Sequence, residues 1–373
     1  MAAPPAPPPS ATATATATAT PDRRHVRFAF VIGLLLVAGL VWGLWRLATA
    51  DRSAWQQAGA EAAMNRTLGA LPGQSDWTRW GAGLRWRLLG DLGPQVAPGC
   101  PGWLFYRDGL RPAAGEAVAA AAYARRLALM RHWAQVLRAR GVQLVVATVP
   151  DKSRIEAAHL CGLPVSAAMQ ARLDDWQQRL AEAGVSQVDL RPALAALPQA
   201  YYRTDVHMAP AGAEAAADAI GRAALPMLGG PGTQRFDDQR GAAPEPRMGD
   251  LIVLAGLDRL PEGWRPALER FTPERIVPVA SGGLLDAGPP AEVLLVGDSN
   301  GLRSEFPGRL GRQLGREVWT LSHDGGYFSG AMLAALAQQE RWPASLKLVV
   351  WTFSELSLSL PLSADEARAA AAP

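Results

Sequence analysis

Short, continuous apolar runs alternate along this chain with longer Ala-, Arg- and Leu-rich stretches of helical character. Residues 115–140 read as a long helix leading into the run 142–149, and 166–183 as a second helix leading into 185–190. A strongly helix-forming stretch, 211–224, starts near Pro210. The pattern resumes with the run at 293–296, a helix over 303–314, a strand over 317–322, a further helix and a strand over 346–351. Continuous Val- and Leu-rich runs, as opposed to alternating ones, belong to strands buried on both faces. Helix and strand in regular alternation predict an α/β fold, a mainly parallel sheet with helices on both sides. Between these blocks, 229–250 is rich in Gly, Pro and charge and reads as a long loop or insertion edge. There is no internal repeat.

The N-terminal pattern differs. Residues 1–22 are Pro-rich and then an Ala-Thr repeat, a composition that builds no core and predicts disorder. Arg23, Arg24 and Arg27 follow, then a charge-free stretch from Phe28 to Trp45 that ends at Arg46. Its length, about 18 residues, is just enough for one transmembrane helix, placed at 28–47. A signal peptide is the rival reading, but no small-x-small cleavage site precedes the return of polar chain, and Trp42 and Trp45 suit an interfacial anchor. Basic residues on the N-terminal side predict the N-terminus inside and the remainder of the chain outside. Residues 51–98, with Trp55, Trp77, Trp80 and Trp86, read as amphipathic lead-in helices in which the indoles pack as core. Residues 99–361 form the main domain, and 362–373 a disordered tail.

Chemistry concentrates at one strand end. The run Val293–Val296 is cut off by Gly297, Asp298 and Ser299, and in α/β sheets ligands sit outside the carboxyl ends of strands. A Gly-Asp-Ser is also an ordinary turn, so a catalytic serine needs a base. Of five histidines, only His207 has an acid placed two residues before it, Asp205. That pairing supplies an imidazole to take a proton and a carboxylate to fix its tautomer. The competing role for Asp205 is N-cap of the helix near Pro210.

Four ordered segments resemble the AlgJ/AlgX family of polysaccharide O-acetyltransferases. They are Gly102-Trp103-Leu104-Phe105-Tyr106-Arg107, Val149-Pro150-Asp151-Lys152-Ser153-Arg154, Tyr202-Arg203-Thr204-Asp205-Val206-His207 and Gly297-Asp298-Ser299. Met208 stands where that family commonly has tryptophan, and Asp298 where threonine is frequent. The resemblance implies a flavodoxin-like SGNH hydrolase domain, circularly permuted because Asp and His precede Ser. It implies Ser299 as nucleophile, His207 as base and Asp205 as its orienter. No Asn stands at the third strand end, so an oxyanion hole would use the N–H groups of Ser299 and of Gly325 or Gly326, with Asn300; Tyr327, Lys152 and Arg203 would shape the acceptor site. A membrane-bound O-acyltransferase would relay acetyl groups to this enzyme, held in a bacterial inner membrane with its catalytic domain in the periplasm. An exopolysaccharide hydroxyl would accept them. The same triad would serve an esterase releasing acetate, and the third alternative is a non-catalytic secretion component.

Composition adds limits. With 37 basic and 34 acidic residues the net charge is +3, which gives no clustered-basic footprint for nucleic acid. Abundant Arg outside the cell could favour an anionic glycan, with a solvated face as the plainer explanation. The two cysteines, Cys100 and Cys161, lie in Gly- and Pro-rich contexts and either form one disulfide closing a long loop or remain buried thiols. No His/Cys group has zinc spacing, and no cofactor is implied.

Overall fold

The structure, a computed structural model, describes residues 23–49, 74–279 and 290–371. The tail 1–22 and Trp55 lie outside the described residues. The chain divides into two units, 1–76 and 77–373. In the first, the helix Arg23–Ala48 contains a 21-residue stretch, Phe28–Ala48, of mean hydropathy 2.3 with none of it buried. That length and apolarity are enough to cross a bilayer. Trp42 and Trp45 lie side by side near its end, 4.9 Å apart.

In the second unit, β1 (Val96–Pro98) and β2 (Leu104–Tyr106) pair as an antiparallel hairpin. Next come β3 (Gln143–Val149) and β4 (Ser186–Gln187). Four short strands follow: β5 (Phe236–Arg240), β6 (Glu245–Arg247), β7 (Glu269–Phe271) and β8 (Glu274–Pro278). The last three are β9 (Val293–Gly297), β10 (Val318–Thr320) and β11 (Leu348–Ser354). The central sheet runs β10-β9-β11-β3-β4, every pairing parallel.

Its strand residues alternate between two cores, as the pleat requires. Val146, Leu294, Val296, Val349, Trp351 and Phe353 face the helices Glu116–Ala139, Ala167–Glu182 and Gly330–Ala337. There Trp133, Trp176, Phe328, Trp351 and Phe353 interlock at centroid distances of 4.8 to 5.8 Å. Val145, Ala147, Val293, Leu295, Leu348 and Val350 face the helices Pro210–Ala224 and Phe306–Leu314. Burial on both faces is why these strands read as unbroken apolar runs. Helix Pro210–Ala224 presents Ile220 and the small side chains of Ala213, Ala216 and Ala217, which let it lie close to the sheet.

Four expectations differ from what is observed. The strand over 185–190 shrinks to Ser186–Gln187, because it sits at the sheet edge and meets only Val145 and Val146. The stretch 229–250 is not all loop: β5 pairs with β8 and β6 with β7, through partners far ahead in the chain. Over the expected tail, Ala364–Ala371 is helical. Ser363 and Glu366 cap it reciprocally, each backbone N–H bonded by the other's side chain, while Glu366 forms a buried ion pair with Arg126. In the lead-in, Trp77 is 77% exposed, contrary to a core role, whereas Trp80 packs edge-on against Trp264.

Candidate active site

The serine turn is built from the sheet. At the end of β9 a Cβ on Gly297 would lie 2.4 Å from the Thr352 carbonyl, so only glycine lets β9 pass this close to β11. The chain then enters a short 3₁₀ turn, Ser299–Gly301, capped by Asp298. One Asp298 oxygen accepts the Asn300 N–H at 2.9 Å and the other the Ser354 N–H at 2.7 Å, which pins the turn to the end of β11. Burial pushes the Asp298 carboxyl up from its ordinary value, against these bonds.

Facing it is the irregular loop 200–207. Four of its N–H groups end on two buried carboxylates: Glu156 takes those of Ala200 and Tyr201, and Glu269 those of Arg203 and Thr204. Two of its carbonyls end on Lys152, whose ammonium donates to Arg203 and Asp205 at 2.8 and 3.0 Å and to Leu104 of β2 at 2.7 Å. Burial draws that ammonium down to about 7, with the surrounding carboxylates opposing.

This frame delivers His207 to Ser299. The imidazole Nε2 lies 2.7 Å from Ser299 Oγ, and Nδ1 lies 2.6 Å from Asp205 Oδ1. With the proton on Nδ1 donated to carboxylate, Nε2 is left to accept from the serine hydroxyl. Asp205 is not a helix cap: the helix starts at Pro210 after Ala209, and the Asp205 carboxylate accepts the His207 N–H instead.

Two residues at this site are absent from the sequence-level expectation. Asp250 places an oxygen 3.2 Å from His207 Nδ1, and Arg247 of β6 bonds the outer oxygen of Asp205. Both come from the stretch read as loop, and no spacing links them to Asp205. Burial disfavours the imidazolium, but hydrogen bonds to Asp205 and Asp250 outweigh it and raise His207 to about 9. Burial likewise opposes ionisation of Asp205, yet His207 and Arg247 hold its carboxyl well below the usual range. Asp205, His207 and Asp250 also have ligand atoms close enough to hold a metal ion. The Arg247 cation already on Asp205 disfavours a second positive charge there.

The remaining candidates separate. Ser299, Asn300, Gly325, Tyr327 and Lys152 line a cleft of about 480 Å³ together with His207. Lys152 is not an acceptor-positioning group, since its three donated bonds all go to backbone carbonyls. The Arg203 side chain points outside the cleft, half-exposed beside Glu269. Of the glycine pair, Gly326 donates its N–H to the His323 carbonyl, while Gly325, at φ 72°, faces the cleft. The Asn300 N–H is committed to Asp298. His159 stacks on Trp103 at 4.0 Å, a packing role. Cys100 and Cys161 are joined as a disulfide, Cα atoms 5.0 Å apart.

Comparison with known proteins gives a consistent picture. The family described as "SGNH hydrolase-like domain, acetyltransferase AlgX" matches residues 96–355. A probable alginate O-acetylase AlgJ from Pseudomonas fluorescens is 29% identical, covering 87% of this chain and 85% of the relative. Its counterpart from Pseudomonas putida is 31% identical over 75% of this chain and 74% of the relative. The solved O-acetyltransferase domain of Pseudomonas putida AlgJ superposes with a TM-score of 0.64 at 27% identity, over 74% of this chain and 98% of that domain. Pseudomonas aeruginosa AlgX, at 21% identity and TM-score 0.53 over 69% of this chain and 61% of its own, shares the fold.

Proposed function

The chain belongs to the SGNH hydrolase-like acetyltransferase family of AlgX, and on that premise we propose that it acetylates an exopolysaccharide through an acetyl-Ser299 intermediate. The observation that carries this reading is the continuous line from Asp205 through His207 to Ser299, at 2.6 and 2.7 Å. His207 Nε2 takes the Ser299 proton as Oγ bonds to the donor's acetyl carbon, and returns it to the leaving group. A sugar hydroxyl then attacks the acetyl carbon, passing its proton to His207. The Oγ–acetyl bond breaks, and Ser299 recovers the proton. The N–H groups of Ser299 and Gly325 are the donors assigned to the developing oxyanion. The arginines ahead of the apolar helix support an inside N-terminus, and with it the reading of a periplasmic domain held by the inner membrane of a Gram-negative cell. With the cytoplasmic acyl-donor pool out of reach, acetyl groups come from a membrane-bound O-acyltransferase partner.

The test mixes the full chain, in detergent, with a chromogenic acetyl ester and oligosaccharides. Acetylated sugar supports transfer, whereas free acetate alone would make the protein an esterase. Ser299→Ala and His207→Ala should each lower turnover by about 10⁴-fold or more, with the acetyl adduct on Ser299 lost from the mass spectrum. Unchanged turnover in either variant would refute the triad.

A further inference from the structure

The relatives are named for alginate, a polymer whose sugars each carry a carboxylate, so the charges facing this cleft decide whether such an acceptor fits. Recognition of a polyuronate calls for cations free to pair with carboxylates along the chain. Three cations line the cleft among the described residues, Lys152, Arg303 and the His207 imidazolium, which Asp205 and Asp250 hold, and all are engaged. Lys152 is 5% exposed and fixed on three carbonyls. Arg303 is held by Asp324 at 2.7 Å. Against them stand Asp250, beside His207, and Asp324, beside Arg303, with side chains 44% and 59% exposed, while burial pushes the Asp151 and Asp298 carboxyls up toward the neutral acid.

A second groove, about 450 Å³, has the same character. Its floor is aromatic, with Phe271 edge-on to Tyr202 at 4.6 Å, and it is lined by Glu245, Glu274 and Glu305. Its arginine, Arg247, is bound to Asp205 and stacked on Tyr202. Two further features suit hydroxyl-bearing sugar rings. Asn300, 6% exposed, lines the cleft and keeps its buried side-chain oxygen without a hydrogen-bond partner, an acceptor suited to a hydroxyl. Tyr327 stands at the rim 53% exposed, held in the left-handed region at φ 44°, where bulky residues persist only under constraint.

We propose that the acceptor is an uncharged glycan, with a neutral sugar ring stacked on Tyr327 and a hydroxyl donating to Asn300. This rests on the transferase reading, and its test is binding, which requires no acetyl transfer. The full-length Ser299→Ala variant in detergent is titrated calorimetrically with cello-oligosaccharides and with oligomannuronates of equal length. At low salt the neutral oligomer should bind at least about tenfold more tightly, and added salt should narrow the gap by screening the aspartates. Tyr327→Ala should weaken the neutral oligomer about tenfold. Asp324→Asn, which releases Arg303, should strengthen the uronate alone. Tighter binding of the uronate at low salt, or binding of neither oligomer, overturns the proposal. Loss of the acetyl-serine adduct in the unsubstituted protein would instead refute the transferase reading, whichever sugar binds.

Discussion

The two arms that meet at the Ser299–His207 hydrogen bond are built by opposite means. The nucleophile arm hangs from the sheet: a glycine lets β9 approach β11, and Asp298 closes the turn on Asn300 two positions away and ties it to Ser354 at the end of β11. The base arm has no regular structure, and its polar groups are satisfied by Glu156, Lys152, Arg247 and Glu269, between 42 and 66 residues distant. A buried irregular loop must pair its backbone groups somewhere, or each unpaired one costs about 1–3 kcal/mol. Here buried charged side chains replace the ladder that a strand would have supplied. The comparison teaches that the arm with less secondary structure depends more on individual distant residues.

Breaking that dependence should have the largest effect. Lys152→Met removes one donor group from three buried carbonyls, and unfolding in urea should show a loss of about 4–5 kcal/mol. A loss under about 1 kcal/mol would mean that the loop holds itself. The disulfide comes next. It joins the segment before β2 to the turn after Ala157–His159, across a sequence separation of 61, and Cys100 N–H also bonds the His159 carbonyl. Reduction should destabilise the domain by up to about 4 kcal/mol, on chain-entropy grounds, and lower the melting temperature under reductant. On the nucleophile arm, Asp298→Asn keeps one oxygen acceptor and loses one charge-assisted bond, so the same unfolding measurement should show only about 1–2 kcal/mol.

The same contrast explains what could be read without coordinates. The alternation of helices and apolar runs was legible because each element buries a face set by its own period, and Ser299 was legible because its turn follows directly from β9. Asp205 and His207 were legible as neighbours two apart. Asp250 and Arg247 were not, because their approach to His207 depends on β6 pairing with β7 and on Gly249 passing against the Thr204 carbonyl, where a Cβ would lie at 2.1 Å. Lys152 appeared in a recognisable motif, yet its role was misjudged. The motif identifies the residue, while only the fold puts three carbonyls around it. Helix Ala364–Ala371 shows the converse, since the capping signal of Ser363 and Glu366 was present in an Ala-rich stretch read as tail.

The smallest expected effect probes the base itself. Two carboxylates face Nδ1, and they raise His207 to about 9 despite burial, from an ordinary value near 6.5. A base must be neutral to take the serine proton, so the rate of Ser299 acetylation should climb with pH and level off near 9. Asp250→Asn removes one group favouring the imidazolium and should move that inflection toward neutrality, with Ser299 acetylation retained. Stability should follow the same sign. Stabilisation by a raised pKa is complete below the unfolded value and is lost as pH rises through the folded one, so the melting temperature should fall between about pH 6.5 and 9. In Asp250→Asn that fall should be smaller and end at lower pH. Arg247→Ala should act in the opposite direction, since removing its cation strengthens the pull of Asp205 on the imidazolium and moves the inflection further into alkali. If both variants shifted the profile the same way, the charges around Nδ1 would not be what sets it, and the base arm would act by position alone.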